Sequence, residues 1–180
     1  RSPGAPFTTS TLQQEASRKF GFGVKQTMMI AQKLYEWVDL GNWERTGLIT
    51  YMRTDSVNLS ENALGQAGKL IEEKFGKNYL KIRKYKTKAA GAQEAHEAIR
   101  PTYLSTTPES LASILDPQAL KLYTLIWKRT LASQMEDAIV EVTTFNFSPE
   151  HKSNQEWITK GEVLKFDGFM KLYVESSDDE

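Results

Sequence analysis

The sequence predicts an α+β fold: a mainly helical unit over residues 1–135, then a partial antiparallel β unit over 136–175. Two observations predict it. Apolar residues recur at helical spacing through the first three quarters of the chain, set off by capping residues, and near residue 136 the period shifts toward two. At 180 residues, 39% hydrophobic and 26% charged, the composition is that of an ordinary globular protein.

The elements follow in order. Ser10 stands three residues before Gln13, as in a capping box, and Gly21 is placed to end the helix that begins there. A second helix is expected over about 24–38, with Val24, Met28, Ala31, Tyr35 and Val38 on one apolar face. Asp39, Gly41, Asn42 and Gly47 mark a loop, flanked and interrupted by Trp37 and Trp43. Leu48 to Met52 reads as a short strand. Ser60 caps a third helix of about 61–75, closed by Gly76. Residues 76–93 show no clear period and read as a mobile loop. Thr107-Pro108 opens a helix to about Leu115, and Asp116-Pro117 a longer one to about Met135. On the latter, Leu120, Tyr123, Trp127, Leu131 and Gln134 share a face, so its aromatics are expected in the core.

Past 136, Ala138, Val140, Val142 and, less regularly, Phe145 and Phe147 suggest a strand. Trp157 to Leu164 suggests a second and Phe169 to Val174 a third, with Asp167-Gly168 as a turn. Three strands alone make a marginal sheet, so further strands are expected outside this chain. Residues 176–180 read as an acidic tail.

Composition also excludes. No run of 18 apolar residues is present, and no membrane is expected as a partner. Arg1 to Pro6 is not followed by the apolar stretch of a signal peptide. Without cysteine there are no disulfides and no thiolate zinc site. Two histidines, His96 and His151, argue against a histidine-built metal site. The net charge of zero hides an asymmetry: residues 1–100 hold 16 Lys/Arg against 10 Asp/Glu, and residues 101–180 hold 7 against 13. The basic run Lys81, Arg83, Lys84, Lys86 and Lys88 could meet phosphate, or could simply be a solvated loop.

Two clusters could do chemistry. On a strand, Tyr51 and Arg53 would point to one face, with Asp55 following. A free phenol has a pKa of about 10, so about one in a thousand is ionised at pH 7. A guanidinium beside it favours the phenolate and binds phosphate bidentately, which suits attack on a phosphodiester. On spacing alone, a surface tyrosine beside an Arg53–Asp55 pair explains the pattern more readily. The second cluster is Glu94 to Pro101. If it is helical, His96 and Arg100 share a face. Histidine can donate to phosphate or move a proton, and it can equally hold a helix end.

The run Ile49-Thr50-Tyr51-Met52-Arg53-Thr54-Asp55-Ser56 resembles the active-site motif of type IA DNA topoisomerases. Ala95-His96-Glu97-Ala98-Ile99-Arg100-Pro101-Thr102 resembles that family's second motif, and Pro6 to Ala16 a third, in the same order and at about its spacing. Met52 matches the bacterial topoisomerase I branch. The likeness runs from about residue 3 to Val174.

The resemblance implies a helix-turn-helix-like (CAP-like) domain that bears the catalytic tyrosine, plus part of the β hinge domain that forms the enzyme's arch. It implies that Tyr51 attacks a single-stranded DNA phosphate to give a 5′-phosphotyrosyl bond. Arg53 would steady the scissile phosphate, and His96 would assist through a hydrogen bond. Thr54, Asp55, Glu97 and Arg100 would lie at the DNA or support those that do. Strand passage would relax negatively supercoiled DNA without ATP. The resemblance places the family's Mg²⁺ ligands and a catalytic lysine in a TOPRIM domain of the same full-length chain, so no metal ligand is expected here and the chain alone should be inactive. A bacterial cytoplasmic, nucleoid-associated location is implied. The competing reading is a stand-alone helix-turn-helix module that binds nucleic acid, its tyrosine incidental.

Overall fold

The computed structural model describes residues 1–36, 38–39, 45–86, 96–147 and 157–174. Four α-helices, α1 (Thr9–Phe20), α2 (Val24–Tyr35), α3 (Glu61–Phe75) and α4 (Pro117–Ala132), carry the core. Two antiparallel pairs accompany them: β1 (Val38–Asp39) with β2 (Arg45–Thr46), and β3 (Ile139–Phe147) with β4 (Trp157–Phe166). Trp43, Gly41 and Asn42 of the expected loop, Trp37, Lys88 of the basic run, Glu94 and Ala95, and the expected tail lie outside the described residues.

The caps explain the helix bounds. α3 starts at Ser60, whose hydroxyl accepts from Ala63 N–H, and α4 at Asp116, whose carboxylate accepts from Gln118 and Ala119 N–H at 3.1 and 2.9 Å. α1 is capped earlier than expected. Thr8, not Ser10, forms the reciprocal box, and its partner is Thr11. The expected helix after Thr107 is a single 3₁₀ turn, Pro108–Leu111.

α4 is buried on most of its circumference, and its aromatics are core residues as expected. Tyr123 O–H donates to Thr106 C=O at 2.6 Å, and Trp127 Nε1–H to Leu104 C=O at 3.0 Å. The buried face of α2 differs from the one expected. Thr27, Ile30, Ala31 and Leu34 point inward, while Val24, Met29 and Tyr35 are exposed. Thr27 can take a core position because its hydroxyl donates to Gly23 C=O one turn back, at 3.0 Å.

Residues 76–86 are not a free loop. Leu80 bridges Met135, Lys81 N–H donates to Gln134 C=O, and Glu136 N–H to Tyr79 C=O. The cations of this segment face carboxylates. Lys81 lies 2.7 Å from both Glu136 and Asp137, Arg83 lies 2.9 Å from Asp137, and Lys84 pairs with Glu61. The Lys81 hydrogen bond, with help from Ser2 and Arg83, pushes the Asp137 carboxyl down to about 2. Lys81 and Arg83 therefore answer the acidic turn after α4.

β3 and β4 form a nine-pair antiparallel ribbon from Ile139↔Phe166 to Phe147↔Trp157, exposed on both faces. The expected third strand is absent. Gly168, at φ +50°, turns the chain into a 3₁₀ helix, Gly168–Lys171, and Phe169 and Tyr173 fold back onto the helical core. The left-handed Gly168 starts the coil, and the Tyr173 hydrogen bond to Glu15 holds its far end to α1. A Cβ on Gly168 would lie 2.5 Å from the carbonyl oxygens of Glu136 and Asp137. Gly168→Ala should cost roughly 2–4 kcal/mol, combining the left-handed backbone with that clash, as read from urea denaturation.

Candidate active site

Three separated stretches of sequence meet as irregular backbone. Ile99 bridges Phe7, its N–H donating to Phe7 C=O at 2.8 Å, and Pro101 bridges Ile49. Thr50 N–H donates to Arg100 C=O at 2.9 Å, and Thr102 N–H to Leu48 C=O at 3.0 Å. Threonine hydroxyls complete the weld. Thr9 Oγ1 donates to Met52 C=O at 2.7 Å and accepts from Thr54 N–H at 2.9 Å. Thr50 Oγ1 donates to Ala98 C=O at 2.7 Å. Buried backbone must find partners, and a hydroxyl offers both a donor and acceptors where no ladder forms.

The Leu48–Met52 strand expected from the sequence reduces to the Ile49 bridge, yet the alternation of sides survives. Tyr51, Arg53 and Asp55 are exposed, while Met52 and Ser56 are buried. Tyr51 and Arg53 thus flank an anchor at 0% exposure, and the Tyr51 residue itself is 44% exposed. Its ring meets that of Tyr35, at the end of α2, edge-on with centroids 5.3 Å apart. Gly47 lets the two elements approach. Leu48 N–H donates to Leu34 C=O at 2.8 Å, and a Cβ on Gly47 would strike the Tyr35 carbonyl.

Residues 96–101 of the second cluster are not helical, so His96 and Arg100 do not share a helix face. His96 is exposed, two residues before the carbonyl that holds Thr50. Arg100 and Glu97, expected at the DNA or in support of the residues there, are bonded to each other and to the backbone. Arg100 Nη2 lies 2.6 Å and Nε 2.9 Å from Glu97 Oε2, and Arg100 Nη1 donates to the Pro101 and Thr102 carbonyls. Glu97 Oε1 accepts from Ser60 N–H at 2.8 Å, at the start of α3. Burial works to raise the Glu97 pKa, but the hydrogen bonds from Ser60 and Arg100 outweigh it and hold the carboxyl below its ordinary range. Thr54 is also occupied locally, its hydroxyl accepting from Ser56 N–H at 3.0 Å.

Among the described residues no three His, Cys, Asp or Glu side chains gather to hold a metal ion, and Glu97 is already committed to Arg100. The residues present do not fit a divalent-ion site.

An α+β chain whose separate motifs converge on the exposed Tyr51 has a fold of the kind seen in bacterial topoisomerase I. The family model described as DNA topoisomerase matches residues 1–180, and the chain belongs to that family. DNA topoisomerase 1 of Rickettsia conorii is 54% identical over 182 residues, covering 99% of this chain and 23% of its own length. That of Rickettsia prowazekii is 53% identical over 184 residues, covering 100% and 23%. The solved structure of full-length topoisomerase I from Thermotoga maritima matches with a TM-score of 0.80 at 45% identity, over 98% of this chain and 28% of that one. The chain spans about a quarter of the length of these relatives.

No sequence signal singled out Tyr35 as a neighbour of Tyr51. The cue available was that Thr27, Ile30, Ala31 and Leu34, with Met28 packed beside them, make a buried face for α2 and leave Met29 and Tyr35 outside it.

Glu97→Gln should destabilise the fold by about 1–2 kcal/mol near neutral pH, because it removes a charged partner from Arg100. A carboxyl with a lowered folded pKa stabilises above its unfolded value and loses that contribution as pH falls through the folded one. The stability gap between parent and variant should therefore be complete above the ordinary value of 4.5 and close as pH falls below it. Denaturation midpoints measured across that range check it.

Proposed function

We propose that this chain carries the nucleophile of an ATP-independent type IA DNA topoisomerase and that Tyr51 is that nucleophile. The observation that carries the reading is an exposed tyrosine on a backbone clamped from both sides, with an exposed arginine two residues on. Loops held by a rigid scaffold are where reactive side chains sit.

The chemistry is an ester exchange. Tyr51 Oη attacks the phosphorus of one strand and gives up its proton. The P–O3′ bond breaks, the 5′-phosphate becomes esterified to Tyr51, and the 3′ oxygen takes a proton and leaves as a hydroxyl. The reverse exchange reseals the strand. One ester replaces another, so no ATP is required, and passing a strand through the gap relaxes negatively supercoiled DNA. Arg53 grips the scissile phosphate and offsets the charge that builds on it. His96 donates to the phosphate or to the tyrosine side. Asp55 and Thr54 stand at the DNA-facing edge. Glu97 and Arg100 act through position, holding the backbone that carries Thr50.

The Mg²⁺ ligands are assigned to the TOPRIM domain of the same full-length chain, which is this segment's partner together with single-stranded DNA. A cytoplasmic, nucleoid-associated location belongs to the same reading. Residues 1–135 are read as the tyrosine-bearing unit and 136–175 as part of the hinge, the ribbon's two bare faces supporting a sheet that continues elsewhere.

The test uses a full-length protein carrying this segment, Mg²⁺ and a 3′-end-labelled single-stranded oligonucleotide, the label being on the piece that tyrosine retains. The parent should give a covalent adduct and Tyr51→Phe none; an adduct that survives the change removes Tyr51 from the role. Arg53→Ala should lower adduct formation by about 10²–10³. The chain alone should form no adduct and bind single-stranded DNA with a Kd weaker than about 10 μM at physiological salt, since several of its cations are paired internally. Sub-micromolar binding would favour the stand-alone nucleic-acid-binding module.

A further inference from the structure

Arg53 borders a surface besides that of Tyr51. It lines a groove of about 510 Å³ together with Lys25, Met28, Met29 and Gln32. Those four residues lie on one face of α2, at spacings of three, four and seven, and the same face ends at Tyr35, whose ring meets Tyr51. From Lys25 to Tyr35 the helix rises about 15 Å, room for a short unstacked strand.

The make-up of this face is uneven for solvent alone. Met29 is 64% exposed and Met28 half-buried against the core, and Lys25 and Arg53 stand at the rim. Among the described residues the one carboxylate bonded to the lining is Glu36, which accepts from Gln32 Nε2 at 2.5 Å beyond the groove's end. A thioether is flexible and polarizable, and it lies against flat rings without selecting among them. Cations spaced along an adaptable apolar floor match the alternation of phosphate and base in single-stranded nucleic acid.

We infer that this face of α2 is a subsite for the nucleotides on the 3′ side of the cleavage point, the strand end that tyrosine retains. The inference rests on the proposed role of Tyr51. The phosphate esterified to Tyr51 sits at Arg53, so the next nucleotides of the same strand must leave along a surface fixed to that body. The backbone weld with Phe7 and Ile99 occupies one side of the Tyr51 segment, and the groove opens beside Arg53. Contacts made there travel with the tyrosine, and they hold the retained end in place for resealing while the other end is free to move. Met28 and Met29 meet base faces, Gln32 lies within reach of a base edge, and Lys25 takes a later phosphate.

The test uses the full-length protein and a 3′-labelled oligonucleotide with one cleavage point. Met29 and Lys25 are exposed, so Met29→Ala with Lys25→Ala leaves the core intact. The double variant should lower adduct yield at sub-saturating oligonucleotide by about tenfold. On an oligonucleotide abasic at the first two positions 3′ of the cleavage point the loss should shrink to about threefold, the part due to Lys25. Abasic positions on the 5′ side should leave the tenfold loss unchanged. An undiminished loss on the 3′-abasic strand would mean that protein, not DNA, covers this face, and would overturn the inference; so would an unaltered yield. Tyr51→Phe, run in parallel, separates the two levels. An adduct that persists in it sinks the nucleophile assignment, whereas an adduct lost there with no effect of the α2 variant sinks only the subsite.

Discussion

The seating of Ile99 to Pro101 between Phe7 and Ile49 is the constraint on which the rest of the site depends. It is made from backbone hydrogen bonds and two threonine hydroxyls rather than from a regular sheet. A regular ladder would also fix this backbone, but it would commit every second side chain to a sheet face. Isolated bridges hold single residues and leave the next ones free to turn outward. Met52 is driven to full burial, and its neighbours Tyr51 and Arg53 are left at the surface. One buried methionine sets the direction of both reactive side chains, and Thr9, on another element, sets the position of that methionine's carbonyl.

A second buried network ties the ends of the described chain to the same body. Glu15 is 5% exposed and accepts from Tyr173 O–H at 2.9 Å; Lys19 lies one turn further along α1. The Arg129 guanidinium lies over the rings of both Phe7 and Tyr173, and its Nε donates to Ala5 C=O. A carboxylate taken from water needs such partners or it destabilises the fold. Burial is the main cause that pushes the Tyr173 phenol well above its ordinary pKa, so it keeps its proton and donates it in the hydrogen bond to Glu15. Because Phe7 also takes part in the bridge to Ile99, this network and the weld at Tyr51 share a residue. The chain leaves the exposed ribbon and returns to the same core that positions the tyrosine.

Much of this was legible from the residues, and what was not has physical causes. Ser60, Asp116, Gly21 and Gly76 mark helix ends because capping is local chemistry between neighbours. The burial of Tyr123 and Trp127 follows from helical spacing. The face of α2 was misjudged because Thr27 looks polar until its hydroxyl is seen to be satisfied one turn back. The segment at 81–85 looked loose because its partners, Gln134 to Asp137, lie some fifty residues away. The 169–174 segment reads as a strand because three of its residues favour one, but the coiling at Gly168 and the distant Glu15 decide otherwise. At the site, the motifs named Tyr51, Arg53 and His96 by resemblance. Only the fold shows that Glu97 and Arg100 face each other and the backbone, since a salt bridge and a phosphate contact look alike in a sequence.

Holding a nucleophile and activating it are separate tasks, and on the proposed reading of Tyr51 the geometry of this chain suits the first. Tyr51 stands open to water, its ring supported on one side by Tyr35. Fixed donors stabilise a developing phosphate charge most where water is excluded. Nothing among the described residues closes over Tyr51 to exclude it. Precise backbone and an open ring are compatible demands if a second body supplies the enclosure and the metal, and if the strand must enter and leave between the two. The inferred subsite on the α2 face beside Arg53 fits the same openness: a surface that gripped DNA only between bodies would stay bare in each of them. On that reading the division of labour runs through one residue: this scaffold fixes where Tyr51 is, and the body that encloses it would decide when it reacts.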